Sequence, residues 1–328
     1  MTALAPAGPL VSRIGLGLAA LGRPAYITSG RAGDLPDRSV AGLRDRTHAM
    51  LDAAYAAGIR YFDAARSYGR AEEFLGAWLA ARGHADAVAG SKWGYRYTGG
   101  WRLDTSTHEV KEHSLAMFTA QLAETRARLG GRLALYQAHS LTPDSGLLGD
   151  PALLVALGRL RASGVLIGLT TSGPGQADTL RRAMQSTVAG QPLFCVAQVT
   201  WNLLEPSVAA AAAQAAAAGW TILVKEPVAN GRLAPGGDAA RGWLAGIAAA
   251  RGVSTDAVAI AAALAQPWAS VVLSGAVKER QLRSNLAALA VSSDPGPELE
   301  LELGLGSGPG LAEPPGAYWA SRAARPWQ

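Results

Sequence analysis

One cysteine, Cys195, stands in 328 residues. That excludes an intrachain disulfide framework and a zinc site built on clustered thiolates, and no metal site is expected. A single thiol fits a reducing cytoplasm. Charge of either sign is scarce, with 30 Lys and Arg against 25 Asp and Glu, a formal net charge of +5. The basic residues are scattered, which argues against nucleic acid as the main partner. Long apolar runs are missing as well. The longest, Val208 to Ala218, is alanine-rich and too short to span a bilayer. The segment from Met1 to Leu21 has no basic start and is broken by Pro6, Gly8 and Pro9, so it does not read as a targeting signal. These absences predict a soluble cytoplasmic protein with a small-molecule partner, no membrane and no nucleic acid. Disorder is excluded too, because 49% of the residues are hydrophobic and only 17% charged. The sequence carries no signal for an oligomeric state.

What is present is an alternation. Strand-like runs fall at Arg13–Leu18, Arg60–Asp63, Ala87–Ser91, Leu133–Gln137, Val165–Thr170, Cys195–Val199, Thr221–Lys225 and Val271–Ser274. Helical periods follow them at 40–57, 70–82, 111–129, 150–163, 174–188, 205–218, 254–266 and 278–289. Strand then helix, eight times over, predicts an α/β chain folded as a (β/α)8 TIM barrel. A doubly wound sheet would need a glycine-rich turn opening a helix directly after the first strand. Gly15 and Gly17 are there, but a long polar loop over 22–39 follows them. The expected organisation is one barrel domain over 1–328, with 292–328 as a C-terminal tail. Residues 94–110 form a long loop after the third strand. Aromatic residues in that loop and in the tail (Tyr318, Trp319 and Trp327) predict that both dock over the barrel mouth.

The strand ends carry the chemistry. The second strand ends at Asp63, with Tyr68 five residues on; the third runs into Lys92 and the fourth into His139. In a barrel these side chains converge on one mouth. Tyrosine is a poor acid at neutral pH, and a neighbouring ammonium favours its phenolate. Asp63 would hold Lys92 charged, and His139 could donate a hydrogen bond to a carbonyl oxygen. Together they make a proton-donating site for carbonyl reduction. Each residue alone has an ordinary role as a turn cap, packed ring, rim charge or structural histidine. Their conjunction at successive strand ends is what points to catalysis.

The run Gly58-Ile-Arg-Tyr-Phe-Asp63-Ala-Ala-Arg-Ser-Tyr68-Gly69, continuing to Glu72, Leu75 and Gly76, resembles a signature of the aldo-keto reductase superfamily. Ser91-Lys92-Trp93-Gly94, Tyr136-Gln-Ala-His139-Ser140, Val165-Leu-Ile-Gly168-Leu, Gln198-Val-Thr-Trp201-Asn202-Leu203, and Gly275 through Gln281 to Asn285 extend the resemblance over residues 10–290. It implies a (β/α)8 barrel, a nicotinamide cofactor, and interconversion of an aldehyde or ketone with its alcohol. The implied roles fall on Tyr68 as general acid, Asp63 and Lys92 as its tuning pair, and His139 as the donor that orients substrate. Implied cofactor contacts are Gly17, Gln198, Lys225, Pro227 and Gly275. Thr170-Thr171-Ser172 stand where relatives often have Ser-Asn, so Thr170 and Thr171 are the expected carboxamide partners. Lys225-Glu226-Pro227 replaces an aromatic followed by Ser-Pro. Lys278, Arg280, Gln281 and Asn285 open the last helix, where backbone N–H groups favour an anion. The two cations favour NADP(H) over NAD(H), although the usual arginine positions hold Val277 and Gln281. Tyr26, Trp93, Tyr95, Trp101, Trp201 and the tail aromatics are expected in the substrate wall. A non-redox lyase or isomerase, or a cofactor-binding regulatory subunit, are the alternatives on the same barrel.

Overall fold

A computed structural model describes residues 13–27, 32–293 and 311–327. In chain order the elements are β1 (Ile14–Gly17), α1 (Val40–Ala56), β2 (Tyr61–Asp63), α2 (Ala71–Arg82), β3 (Val88–Trp93), a hairpin of β4 (Tyr95–Tyr97) and β5 (Glu109–Lys111), α3 (Leu115–Leu129), β6 (Leu133–Leu141) and α4 (Pro151–Ala162). There follow β7 (Leu166–Thr171), α5 (Gln176–Met184), a short hairpin of β8 (Thr187–Val188) and β9 (Gln191–Pro192), β10 (Val196–Thr200), α6 (Ala209–Ala217) and β11 (Thr221–Lys225). The last elements are α7 (Trp243–Ala250), α8 (Thr255–Leu264), β12 (Val271–Ser274), α9 (Glu279–Leu286), α10 (Ala288–Ser293) and α11 (Pro315–Ala323). Parallel strands close into the expected (β/α)8 barrel in the order β1-β12-β11-β10-β7-β6-β3-β2.

Strand alternation sorts the side chains into two layers. Tyr61, Leu135, Val196, Leu223, Val271 and Leu273 pack together inside the barrel. Their neighbours Phe62, Tyr136, Ala197, Val224 and Val272 join the larger core between strands and helices. Continuing the inward parity one step toward the C-terminal end of each strand gives Asp63, Gln137, Gln198 and Lys225. On β3 the same parity runs from Gly90 to Lys92. Alternation therefore turns an apolar barrel floor into a polar mouth. Glycine makes the interior fit. A Cβ at Gly90 would lie 2.3 Å from the Tyr61 hydroxyl, and one at Gly15 would lie 2.9 Å from the Tyr61 ring.

Helix starts follow local chemistry. Ser39 and Ser114 accept hydrogen bonds from Gly42 N and Met117 N, and Asp150 accepts from Leu153 N just ahead of Pro151. Several elements differ from the sequence expectations. The 94–110 segment is built on the β4–β5 hairpin, so the next helix begins at Leu115 rather than 111. The helix expected over 174–188 stops at Met184, before β8. The unexpected α7 reads Trp-Leu-Ala-Gly-Ile-Ala-Ala-Ala, apolar all round and hence without a helical period. Among the described residues no single helix is long and apolar enough to cross a membrane. The pair α7 and α8 passes together on composition, but it is bent by 93°, and all of α8 is buried.

Candidate active site

A cavity of about 240 Å3 opens at the C-terminal ends of the strands. Asp63, Tyr68, His139, Gln198 and Lys225 face it. Beneath them lies Lys92, wholly buried. Its Nζ donates to Asp63 Oδ2, to Ala64 O at 2.9 Å and to Tyr68 Oη at 3.3 Å. The other Asp63 oxygen accepts from the Tyr61 hydroxyl and from Gln198 Nε2, both at 3.0 Å. Tyr68 Oη lies 3.5 Å from His139 Nε2, while His139 Nδ1 lies 3.5 Å from Ser67 Oγ. The four residues named from the strand ends are thus brought together around one phenol.

Their electrostatics add burial and Arg23 to the expected tuning pair of Asp63 and Lys92. Burial lowers the Lys92 ammonium from its ordinary range, against the pull of Asp63. Burial also pushes the Tyr68 phenol well above its ordinary value; Asp63 adds to that push and Arg23 opposes it. Lys92 shares its nitrogen with a carboxylate, so much of its field on the phenol is cancelled. Burial, helped by Lys92, Lys225 and Arg23, holds His139 well below its usual range. It is therefore a neutral imidazole at pH 7, with one N–H to donate.

The remaining expected residues divide. Gly17, Pro227, Gly275, Tyr26 and Tyr95 line the cavity along with Gln198 and Lys225. Thr170 and Thr171 do not. Thr170 Oγ1 accepts from Ser140 N at 2.6 Å, and Thr171 Oγ1 donates to Gln176 Oε1 at 3.2 Å. The hydroxyl of that segment that reaches the cavity belongs to Ser172. Trp93 and Trp201 are corrections too. Each falls on the outward parity of its strand run and packs in the helix layer, Trp93 on Phe118 and Trp201 on Trp268. Trp101 is absent from the wall; its indole N–H bonds Arg38 O at 2.8 Å. Asn285 is an internal link, bonded to Ser274 and Asp256. Gln281 caps its own helix, its Oε1 accepting from Val277 N and Lys278 N. Asp34 gathers the cations at that helix start: Lys278 Nζ lies at 2.8 Å, Arg280 Nη2 at 3.3 Å, and Gln281 Nε2 donates at 2.6 Å.

Sequence reasoning missed Arg23, Asp34, Ser140 and Arg322, whereas Trp327 was among the tail aromatics expected over the mouth. Ser140 has a φ of +53° beside a register shift in β6, which re-aims it at the cavity. From the C-terminal segment, Arg322 and Trp327 line the cavity. Tyr318 Oη accepts from Asn202 Nδ2 at 3.0 Å, and Trp327 bridges to Ile27. Arg322 forms a two-pronged pair with Glu226. Burial would raise the Glu226 carboxyl, but Arg322 and Lys225 hold it down at about 2. Lys225 is itself lowered to about 8 by burial, against the pull of Glu226. The tail's charges could have been paired with Lys225-Glu226 only by knowing which loops meet at the mouth.

The profile of the aldo/keto reductase family matches residues 13–295. The chain belongs to the aldo/keto reductase family. Its fold is similar to that of a putative aldo-keto reductase from Pseudomonas aeruginosa, with a TM-score of 0.63 and 23% identity over 89% of this chain and 98% of the other. An aldo-keto reductase from Bacillus halodurans, solved in its holo form, has a TM-score of 0.63 and 20% identity over 93% and 95% of the two chains. Among curated proteins, none matches the chain in sequence. Aldo/keto reductases are oxidoreductases that use nicotinamide cofactors. The cavity suits such a group. A Cβ at Gly275 would meet nothing within 4 Å, and one at Gly17 would meet only Ser274 O at 3.6 Å. Bare backbone at these two positions thus leaves open space in the cavity lining.

Proposed function

We propose that the protein is a nicotinamide-dependent carbonyl reductase, or the reverse alcohol dehydrogenase, with Tyr68 as its proton donor. The observation that carries this reading is the phenol at the cavity wall, held between Lys92 Nζ at 3.3 Å and His139 Nε2 at 3.5 Å. A reduced nicotinamide ring, when bound, supplies the hydride for the carbonyl carbon. Gly17, Gly275, Gln198, Ser172 and Lys225 are the residues that would hold that ring. The neutral His139 donates its N–H to the carbonyl oxygen and fixes it beside Tyr68. Tyr68 gives that oxygen its proton as negative charge develops there. Lys92, kept in place by Asp63, then donates to the resulting phenolate, which is reprotonated from solvent. In the oxidative direction the same phenolate accepts the alcohol proton.

The nucleotide in this reading is NADP(H) rather than NAD(H): Lys278 and Arg280 stand against Asp34 at the start of α9, and Glu279 in the same turn is paired with Arg283. Tyr26, Tyr95 and Trp327 give the substrate an aromatic wall, which suits a small carbonyl compound with an apolar body. Loss of nucleotide absorbance with a panel of aldehydes and ketones tests the reading. Turnover should appear with the wild type and vanish in Tyr68→Phe. Reaction without net change in nucleotide would instead favour a lyase or isomerase.

A further inference from the structure

Arg23 is a charged group at the mouth that the reaction as described does not use. It is buried, with 2% of its surface exposed. Its guanidinium carbon lies 5.1 Å from the ring centre of Tyr68, 5.3 Å from that of Tyr26 and 4.7 Å from that of Trp327. One side of it is tied down: Nη1 donates to Ser67 O at 2.9 Å and to Glu109 Oε2 at 2.8 Å. Its Nε is buried and has no partner among the described residues. A cation so costly to bury needs a return.

The surrounding backbone is shaped around this contact. Arg70 N donates to Gly22 O at 2.8 Å. A Cβ on Gly22 would lie 2.3 Å from Tyr68 O and 2.5 Å from the Ala71 Cβ. The loop after β1 is therefore pressed directly onto the turn that carries Tyr68, with glycine allowing the approach and arginine following it.

We propose that Arg23 is a positioning residue for Tyr68: it fixes the 67–71 turn through Ser67 O and sets a second positive charge against the phenol ring. The inference rests on reading Tyr68 as the proton donor. The charge matters because that of Lys92 is matched by Asp63 on the same nitrogen. Glu109, the partner of Arg23, is instead 24% exposed and is screened by water. The guanidinium field thus reaches the ring less cancelled. The other titratable groups facing Tyr68 are Asp63, Glu109 and Glu226, which disfavour its phenolate, together with His139 and Tyr26, which are neutral at pH 7. Tyr61 reaches it through Asp63. The direction of the Arg23 effect on the phenol agrees with this placement. Trp327 brings the C-terminal segment onto the same cation, so the cavity wall and the phenol share one residue.

The test uses the full chain and two readouts. Ionisation of Tyr68 is followed by phenolate absorbance against a Tyr68→Phe reference, without nucleotide. Turnover is followed with the best carbonyl of the panel. Arg23→Met is expected to raise the ionisation midpoint by about one pH unit or more and to lower kcat about tenfold, with nucleotide affinity within about twofold. Arg23→Lys should recover most of both effects. Glu109→Gln should move the midpoint down, and it tests the same field if Arg23→Met fails to fold. A midpoint unmoved or shifted the wrong way in these variants overturns the proposal, as does Arg23→Lys behaving like Arg23→Met. Absence of any turnover in the wild type, with the midpoints moving as expected, would sink the function reading and leave this one standing.

Discussion

At the residue scale, the proposed proton donor, Tyr68, gives the sharpest expectation. Tyr68→Phe keeps the ring that packs against Arg23 and His139 but removes the proton. Turnover should fall by about 10²–10⁴-fold, while nucleotide binding, followed by fluorescence, stays near wild type. A variant keeping more than about a tenth of the activity would mean that another group supplies the proton. Lys92→Met is expected to do two things. It removes the donor to the phenol, and it leaves Asp63 buried without its cation. Loss of one partner of a buried pair costs about 3–5 kcal/mol, so chemical denaturation should show a lower midpoint together with lost turnover. The four residues of this centre were legible in the sequence because each sits at or just beyond the C-terminal end of a strand. The neighbours that misled are instructive. Trp93 follows Lys92 directly, and successive side chains on a strand point to opposite faces. If Lys92 points inward, Trp93 has to point at α3. Thr170 keeps the inward parity, yet the bulge in β6 brings Ser140 N onto its hydroxyl. A strand pattern does not announce a bulge.

At the element scale, the start of α9 and the docked α11 each carry a prediction. Lys278 and Arg280 were legible as cations opening a helix. Asp34 was not legible as their partner, since 246 positions separate it from Arg280. Asp34→Asn frees both cations and should shift preference toward NADPH over NADH by roughly tenfold, the worth of about one charge-assisted hydrogen bond. The double variant Lys278→Ala/Arg280→Ala should shift it the other way; equal losses for both nucleotides would show that these residues do not read the phosphate. The clamp between Glu226 and Arg322 sets a pH limit on the docking of α11. The folded Glu226 carboxyl titrates at about 2, below its ordinary value of 4.5. A depressed carboxyl contributes stability above the unfolded value and loses it as pH falls through the folded value. Protection of α11 from proteolysis should therefore be constant between about pH 4.5 and pH 7 and decline from about pH 4.5 to about pH 2. Glu226→Gln should show the reduced protection already at pH 7, because the partly exposed Arg322 then loses its carboxylate partner.

At the scale of the whole molecule, the barrel floor and the Asp63–Lys92–Tyr68 centre above it are one packing problem. The interior layer holds a tyrosine, Tyr61, among aliphatic side chains, and its hydroxyl supports Asp63 at 3.0 Å. The barrel has room for that ring because Gly15 and Gly90 present no Cβ to it. The alternation of strands and helices was enough to reveal the closed barrel. It could not reveal these two glycines as anything but ordinary, since their role depends on the register that sets the Tyr61 ring between β1 and β3. Gly90→Ala would place a Cβ 2.3 Å from the Tyr61 hydroxyl and 2.9 Å from the ring carbon that bears it. The ring cannot move freely, being tied to Asp63 and packed in the core, so the strain passes to the pair that holds Lys92. Overpacking of this kind costs about 1–3 kcal/mol. Thermal unfolding of Gly90→Ala should occur at a lower temperature, and turnover should fall although the substituted residue touches neither Tyr68 nor the cavity. Adding Tyr61→Phe removes the closest atom of the clash but not the ring behind it. The double variant should regain part of the stability and little of the activity, since Asp63 then lacks the hydroxyl that supports it. Full recovery of both would show that the barrel interior and the centre above it are not coupled through Tyr61.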